Sequence, residues 1–197
     1  MRLIARSAAA LLATGLVIGG TTTAAQAQSQ TIKDKKADVL EYVANPNGKR
    51  LSASQSVKSG ADIRSMKVDH SKKTVTVDLK FARLHKDTDI FVSFRTTSKA
   101  EPTHTLANIS KKKAVVLNLQ GEKECSAKLK TKLGKKGYIK ATVKRSCLDN
   151  PKKVRVSAIS VRYVEPTSAG GNAQQFVDVF SKSSVRKPAY TKALKRG

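Results

Sequence analysis

The stretch that decides the fold is residues 137–164, GYIKATVKRSCLDNPKKVRVSAISVRYV. It contains two runs of alternating apolar and polar residues, separated by the turn-forming triplet at 149–151 (Asp-Asn-Pro). Alternation of this kind in β-branched and aromatic residues is typical of half-buried antiparallel strands. The stretch also contains Cys147, and the chain has one other cysteine, Cys125. It therefore predicts two strands with a candidate disulfide beside their turn.

The same alternation recurs upstream at 75–81, 90–95 and 115–119, where Val115, Leu117 and Leu119 form the predicted apolar face of the last run. Turn-forming residues separate these runs. Six or seven strands within about 105 residues predict an all-β, antiparallel two-sheet sandwich, immunoglobulin-like or jelly-roll-like, with one disulfide. No run has the pattern of a long amphipathic helix, which disfavours an α/β fold.

The last run of the opening stretch breaks phase. Its apolar residues occupy even positions from Val154 to Ala158 and odd positions from Ile159 to Tyr163. A β-bulge at Ala158–Ile159 would keep all of them on the core face. A central strand that is covered on both faces explains the pattern equally well.

Residues 1–27 have the features of a secretory signal peptide. Arg2 and Arg6 give a basic start, an apolar run follows at 7–18, and Ala25-Gln26-Ala27 fits a cleavage site. The apolar run is shorter than the roughly 18 residues that a transmembrane helix needs. We therefore expect a secreted, extracellular protein without a transmembrane segment.

Export would change the length and net charge of the chain and the oxidation state of its cysteines. Cleavage after residue 27 of the 197-residue chain, which has a charge of +25, leaves 170 residues with a charge of +23. In an oxidising compartment a bridge between Cys125 and Cys147 is expected. It would close a loop of about 20 residues and stabilise the fold by about 3 kcal/mol. Two free buried thiols are the alternative.

Composition divides the mature chain into three parts. Residues 28–60 are polar and predict a flexible N-terminal extension with at most one short docked element. The β-sandwich domain is predicted at 61–181, with its core at 61–165 and a last strand near 176–180. Residues 182–197 contain six basic residues and no acidic one, which predicts a mobile basic C-terminal tail.

No motif for catalysis, for a metal or for a cofactor is evident. His70, His85 and His104 stand far apart beside turn residues, so we expect surface histidines rather than metal ligands. Asp87 and Asp89 lack a third acidic neighbour, which favours a solvated turn over a calcium loop. There is no nucleophile elbow and no recognisable carboxylate pair, and the sequence predicts a protein that is not an enzyme.

The positive charge is the strongest functional signal. It far exceeds the magnitude of about 2–8 that is usual for a small soluble domain. Such a field attracts anionic cell-wall polymers or other extracellular polyanions, although solubility or ionic adaptation would also explain it. Lysine outnumbers arginine, which favours diffuse attraction over fork-like phosphate binding. The predicted polyanion-binding residues are those of the tail: Lys182, Arg186, Lys187, Lys192, Lys195 and Arg196.

Specific nucleic-acid binding is disfavoured by the export signal, by the absence of a helix-turn-helix or zinc pattern, and by the scarcity of aromatic residues. We thus expect a monomeric, non-catalytic binding or structural module at the cell envelope. The alternative function is a secreted inhibitor or accessory domain for an extracellular enzyme. Its candidate contact loop is Lys144-Arg145-Ser146, beside Cys147.

Residues 62–166 resemble a family of small secreted actinobacterial proteins with no assigned activity. The resemblance depends on Asp62-Ile63, on VDHSKKTVTVDLKFARL at 68–84, on the paired cysteines, and above all on RSCLDNPKKVRV at 145–156. It implies a secreted β-sandwich with a single disulfide and provides no catalytic residues. This chain is richer in lysine and has no aromatic residue near Lys152-Lys153.

Overall fold

The computed structural model describes residues 27–43, 47–96, 102–107, 114–166, 168, 171–181 and 188–197, and all structural statements below concern these residues. Apart from Ala27, the predicted signal peptide lies outside them. The described residues form one helix, α1 (Ala53–Ser59), a 3₁₀ turn (Arg145–Leu148), and fifteen strands. The strands are β1 (Gln28–Lys33), β2 (Leu40–Tyr42), β3 (Lys49–Arg50), β4 (Ile63–His70), β5 (Thr74–Phe81), β6 (Arg83–Leu84), β7 (Thr88–Arg95), β8 (His104–Ala107), β9 (Ala114–Leu117), β10 (Lys123–Lys132), β11 (Gly134–Lys135), β12 (Tyr138–Lys144), β13 (Lys153–Val164), β14 (Gln174–Val179) and β15 (Leu194–Lys195).

Thirteen of these strands form one curled antiparallel sheet, which confirms the predicted all-β class. The order is β1-β4-β5-β12-β10-β9-β8-β7-β13-β14-β2-β3, and β15 pairs with β13. We call β1, β4, β5, β12 and the second part of β10 the first half-sheet, and the remaining strands the second half-sheet. β6 and β11 form a separate two-stranded ribbon.

The long strand β10 belongs to both half-sheets. Residues 128–132 pair with β12, whereas residues 123–127 pair with β9. Both half-sheets bury their inward side chains in one hydrophobic cluster, which includes Val68 and Val77 from the first and Phe94 and Val156 from the second. The sheet thus folds over a shared core. Sequence reasoning did not identify β10, because its sequence KECSAKLKTK is too polar to suggest a strand.

The period-two runs at 75–81 and 139–143 are confirmed as β5 and β12, in which alternate residues are buried. The run at 115–119 was assigned to the wrong face. Val116 is fully buried, whereas Leu119 is 65% exposed. The strand ends at Leu117 because the side chain of Asn118 accepts hydrogen bonds from the backbone N–H groups of Gln120 and Glu122, which makes a turn there.

The phase break in β13 comes from a central strand, not from a bulge. Its register with β7 is continuous from Arg155 to Arg162, so no extra residue is inserted at Ala158. On its other side β13 pairs with β14. Its middle is buried on both faces, since Ser157 and Val161 are buried as well as Ala158.

The predicted disulfide between Cys125 and Cys147 is confirmed, with 5.9 Å between the two Cα atoms. Cys125 lies in the part of β10 that pairs with β9, and Cys147 lies in the 3₁₀ turn that follows β12. Both sulfurs pack against the shared core. The bridge therefore joins the strand common to both half-sheets to the connection between β12 and β13.

The prediction of a flexible extension at 28–60 is wrong for its described residues. β1 pairs with β4 along its whole length, and Ile32 enters the core. β2 pairs with β14, and α1 begins with a capping box between Ser52 and Gln55. A polar segment can add an edge strand because the pairing uses backbone groups, and few apolar side chains are needed to fix it.

The prediction of a mobile tail is wrong for residues 188–197. β15 pairs with β13, Leu194 is buried in the core, and the N–H of Gly197 donates to the carbonyl of His70. Thr191 is also buried and exchanges backbone hydrogen bonds with Val156 through its own N–H and its hydroxyl. Charge counting overlooked these few apolar and hydroxyl residues, which face inward while the lysines face water.

Candidate functional sites: a lysine face and a buried carboxylate cluster

Exposed lysines cover the outward side of the first half-sheet, and we call this surface the lysine face. The strands bury one alternate set of side chains and expose the other. Asp69 and Asp78 are the acidic residues of the exposed set. The lysines of the face, all exposed, are Lys33, Lys67, Lys80, Lys128, Lys130, Lys132, Lys140 and Lys144.

Strand register arranges these lysines in rows. Two rows of cross-strand neighbours run over four strands: Lys130–Lys140–Asp78–Lys67 and Lys132–Tyr138–Lys80–Ser65. Adjacent strands lie about 4.8 Å apart, and alternate residues along one strand are roughly 6.6–6.8 Å apart. The face is therefore a two-dimensional lattice of ammonium groups on a rigid backbone.

Lys130 and Lys140 stand directly opposite each other on β10 and β12. Like charges in this position destabilise a strand pair. Asp78 is the next residue in the row, and Lys67 forms an exposed ion pair with Asp69 at 3.3 Å. The acidic residues thus lie on β4 and β5, and the charge of the face is concentrated on β10 and β12.

Of the six predicted tail residues, those that the structure describes lie outside the lysine face. Lys182, Arg186 and Lys187 lie outside the described residues. Lys192, Lys195 and Arg196 have exposed side chains, but their backbones are held against the fold. Their N–H groups donate to the side-chain oxygens of Gln30 and Gln28 and to the carbonyl of Lys152, at 2.8, 2.5 and 3.0 Å respectively. These three residues flank β1 and β13 instead of forming a free arm. Their role in polyanion binding stays a prediction.

The candidate contact loop of the inhibitor alternative, Lys144-Arg145-Ser146, contains an arginine with a structural role. Arg145 is buried, and its guanidinium donates to the carbonyls of Lys72, Asn150 and Pro151 at 2.7–2.9 Å. Arginine is suited to this role because its planar fork reaches several carbonyls at once. It therefore holds the turn after the disulfide together and does not project towards a partner.

Two of the three histidines are buried, which corrects the expectation of surface positions. His70, at the end of β4, is fully buried, and its Nδ1 lies 2.9 Å from the carbonyl oxygen of Leu194. Burial lowers the pKa of His70, and the positive charges of Arg145 and Arg196 lower it further. His85 is partly exposed and pairs with Asp87, whose side chain is 56% exposed. The loop at Asp87 is the solvated turn that was expected.

His104 lines an open pocket of about 420 Å³ together with Thr103 and Asp149. Its Nδ1 lies 3.1 Å from the Thr103 hydroxyl and its Nε2 lies 3.5 Å from a carboxylate oxygen of Asp149. This order of groups resembles a nucleophile, a base and an acid. However, the Thr103 hydroxyl already donates to the carbonyl of Phe94 and contacts the hydroxyl of Thr96 at 2.8 Å. The hydroxyl is thus engaged in the fold, and the arrangement offers no free nucleophile.

A second cluster of chemical interest was not found by sequence reasoning. Asp34 and Asp38 lie in the connection between β1 and β2, and Asp178 lies in β14. One carboxylate oxygen from each lies within 4.8 Å of the others. Their exposed fractions are 8%, 1% and 0%. We call these three residues the carboxylate cluster.

Hydrogen bonds satisfy only part of this cluster. Asp34 Oδ1 accepts from the N–H groups of Lys35 and Ser181 at 2.9 and 2.7 Å, and Asp178 Oδ2 accepts from the N–H of Ile63 at 2.6 Å. The other oxygen of Asp34, the other oxygen of Asp178 and both oxygens of Asp38 are buried without a hydrogen bond to another described residue. Four buried carboxylate oxygens are therefore left unsatisfied.

Burial and mutual repulsion both act on these carboxyl groups. The pKa of Asp34 is raised to about 8, chiefly by burial; the hydrogen bonds from Ser181 and Lys35 lower it, and the nearby charges of Asp38 and Asp62 raise it. Burial also raises the pKa of Asp38, and it raises that of Asp178 well above the usual range. Asp62, which is paired with Arg64 at 2.6 Å, has a pKa raised by burial to about 6. Burial thus disfavours the charged forms of these carboxyl groups more than their few hydrogen bonds favour them.

Little in the amino-acid sequence indicates this cluster. Its first two members lie four residues apart in the lysine-containing segment Asp34-Lys35-Lys36-Ala37-Asp38, and its third is remote in sequence. Only the pairing of β14 with β2 and the docking of β1 bring the three together.

No protein-family model, curated protein or solved structure matches this chain. Within the described part of the chain, no helix is long and apolar enough to cross a membrane.

Proposed function

We propose that this chain is a secreted, non-catalytic module that binds an anionic polymer of the cell envelope through its lysine face. The single observation that supports this proposal most strongly is the row in which Lys130 stands opposite Lys140 on a rigid strand pair. A bound polyanion would turn this mutual repulsion into attraction for the ligand. Secretion is inferred from the leader pattern at 1–27, and the disulfide is compatible with it.

The geometry of the face suits a flexible, repeating polyanion. Lysines along β10 alternate with inward-facing residues, so their spacing of roughly 6.6–6.8 Å is regular over Lys128, Lys130 and Lys132. An ammonium group is a compact point charge on a flexible stem and needs no fixed ligand orientation. The face also contains a single aromatic side chain, Tyr138, which argues against the repeated base stacking of a nucleic-acid platform. A phosphodiester polymer of the cell wall is the ligand class that fits best.

The curled sheet is compatible with a two-layer sandwich of the predicted kind, in which β10 contributes to both layers. In that arrangement the lysine face is the outer surface of one layer and remains available to a long polymer. The inhibitor alternative is weakened because Arg145 is buried and satisfied by three carbonyls. We interpret the protein as a monomer that acts through this one surface.

The salt dependence of binding tests the proposal. Binding of purified phosphodiester wall polymer, with inorganic polyphosphate as a defined probe, is measured by titration calorimetry over a range of salt concentrations. Each neutralised phosphate contributes a slope of about −0.7 in log K against log salt on a flexible strand. The double variant Lys130→Gln/Lys140→Gln is expected to make the slope shallower by roughly 1.4, because two contacts are lost.

A matched control removes the same charge from another surface. Lys49 and Lys58 are exposed and lie outside the lysine face, so Lys49→Gln/Lys58→Gln is expected to keep the wild-type slope. Lys140→Arg is also expected to bind as well as wild type, since a diffuse field does not need a particular cation. Binding that does not depend on salt, or equal losses in the two double variants, would contradict the proposal.

A further inference from the structure

We propose that the carboxylate cluster of Asp34, Asp38 and Asp178 is a binding site for a divalent cation, with Ca²⁺ as the ion that fits best. This site is separate from the lysine face and does not depend on the function proposed for it. Three carboxylate oxygens within 4.8 Å of one another can surround one ion.

Asp38 provides an observation that is independent of the clustering. Its side chain is 1% exposed, yet neither of its carboxylate oxygens is hydrogen-bonded to another described residue. A buried carboxylate without partners is costly, whereas a cation satisfies both oxygens at once. Asp178, which is fully buried, likewise has one oxygen without a hydrogen bond to another described residue.

Burial raises the pKa of Asp38, and the charges of Arg50, Lys35 and Arg64 offset only part of that rise, without an ion pair to the cluster. Among the described residues, no lysine, arginine or histidine forms an ion pair with Asp34, Asp38 or Asp178. The nearest arginines are engaged elsewhere: Arg64 donates to Asp62, and Arg50 donates to the carbonyl of Ala37. A bound ion of charge +2 would offset most of the negative charge that the three carboxylates carry once they are ionised.

The donor set selects the type of ion. The three side chains offer carboxylate oxygens, with no sulfur or imidazole among them, which favours hard cations over zinc or copper. Mg²⁺ usually keeps several of its waters, and a site whose ligands are 0–8% exposed has little room for them. Ca²⁺ accepts irregular shells of six to eight oxygens and binds carboxylates in one- or two-oxygen mode.

A cation at this position would connect two distant parts of the chain. Asp34 and Asp38 belong to the N-terminal connection, Asp178 belongs to β14, and the N–H of Ser181 already donates to Asp34. These segments are far apart in sequence, so the ion would tie the N-terminal strands to the last part of the sheet. Ca²⁺ binding is therefore expected to stabilise the folded chain, since only the folded chain assembles the site.

Calorimetric titration of CaCl₂ into the full mature chain, stripped with a chelator, tests this site. We expect one Ca²⁺ per chain, with a Kd no weaker than the roughly 10⁻⁴–10⁻³ M of extracellular calcium modules, and a higher thermal midpoint that excess chelator reverses. Mg²⁺ is expected to bind more weakly. Asp38→Asn and Asp178→Asn are expected to weaken Ca²⁺ binding by at least about tenfold, because changes even to outer-shell partners typically cost 10–100-fold.

The matched control is Asp87→Asn, which removes an exposed carboxylate outside the cluster and is expected to leave Ca²⁺ binding unchanged. The proposal is overturned if the wild-type chain binds no Ca²⁺ at about 10 mM, well above the extracellular range. It is also overturned if Asp38→Asn binds as tightly as wild type, since the ion would then lie elsewhere. If the asparagine variants fail to fold, the wild-type chain decides: a flat titration and an unchanged thermal midpoint contradict the site.

Discussion

The outward faces of the two half-sheets have opposite chemistry. The lysine face exposes its side chains to water, and its charge is concentrated on β10 and β12. The outward face of the second half-sheet carries more apolar side chains, most of them half-buried, and of its large hydrophobic residues Phe91 and Tyr163 are more than a third exposed. Its remaining apolar residues are Val115, Leu117, Ile159, Val161, Val177 and Val179.

This difference explains which strands could be read correctly from sequence. Alternation identifies the core-facing set only where the other set is polar, as in β12, where lysine and threonine mark the outside. In β13 both sets contain apolar residues, and the pattern could not separate a bulge from a doubly covered strand. The alternation pattern therefore identifies the core-facing residues clearly in β12 of the first half-sheet and ambiguously in β13 of the second, although both are antiparallel strands.

The disulfide is expected to have the largest effect on how the two half-sheets stay together. Cys147→Ser should lower the free energy of unfolding by about 2–5 kcal/mol, because Cys125 lies on the strand shared by both half-sheets. Denaturant unfolding without reductant measures this loss, and reduced wild-type protein should behave like the variant. A loss below about 1 kcal/mol would show that the half-sheets hold together without the bridge.

The C-terminal strand β15 is expected to be next in importance, because it bridges the two half-sheets at the side away from β10. Leu194 is buried in the shared core, and the adjacent residues bond to β13 and to the side chains of β1. Leu194→Ala should cost about 2–5 kcal/mol, the usual range for a buried leucine. The exposed neighbour Lys195→Ala should change stability by less than about 0.5 kcal/mol. Equal effects of Leu194→Ala and Lys195→Ala on stability would support a mobile tail, as predicted from sequence, and contradict a docked β15.

Acid is expected to weaken the contact between β15 and the rest of the fold through His70. The Nδ1 atom of His70 lies 2.9 Å from the carbonyl oxygen of Leu194 in β15. Because its pKa in the folded chain lies below the ordinary value of 6.5, the unfolded chain binds the proton more readily. The contribution of His70 to stability is thus complete above about pH 6.5 and is lost as the pH falls through its folded pKa. Thermal midpoints between about pH 5 and 7 measure this loss. The raised pKa values of Asp34 and Asp62 act in the opposite direction over this range, so the difference between wild type and His70→Asn carries the effect. That difference should shrink as the pH falls, and a difference that does not change with pH would contradict the role of His70.

The amino-acid sequence predicted the central strands and the disulfide better than it predicted the edge strands and the two candidate sites. β5, β7 and β12 have strong period-two patterns, and two cysteines allow a single pairing. β1 and β15 are polar edge strands that are fixed by backbone pairing, which leaves little trace in composition. The lysine face was present in the sequence as alternation in residues 128–132, yet charge counting favoured the tail. The carboxylate cluster depends on tertiary structure alone.

A small gain in stability is expected when the repulsion on the lysine face is removed. Lys130→Glu places a carboxylate opposite Lys140 and should raise the free energy of unfolding by about 0.2–1 kcal/mol, more at low salt. Lys144→Glu, which lies opposite Thr74, should give a smaller gain. Denaturant unfolding at two salt concentrations measures both variants. A loss of stability in Lys130→Glu would show that the lysine row is not under electrostatic strain.

The central claim is that the first half-sheet, and not the second half-sheet or the C-terminal segment, presents the polyanion-binding surface. Acylation of lysine side chains in the presence and absence of phosphodiester wall polymer, read residue by residue by mass spectrometry, tests it most directly. We predict that bound polymer protects Lys128, Lys130 and Lys140 and that this protection disappears at high salt, whereas Lys49 and Lys58 stay reactive. Uniform protection of all lysines, or protection confined to Lys192 and Lys195, would contradict the claim.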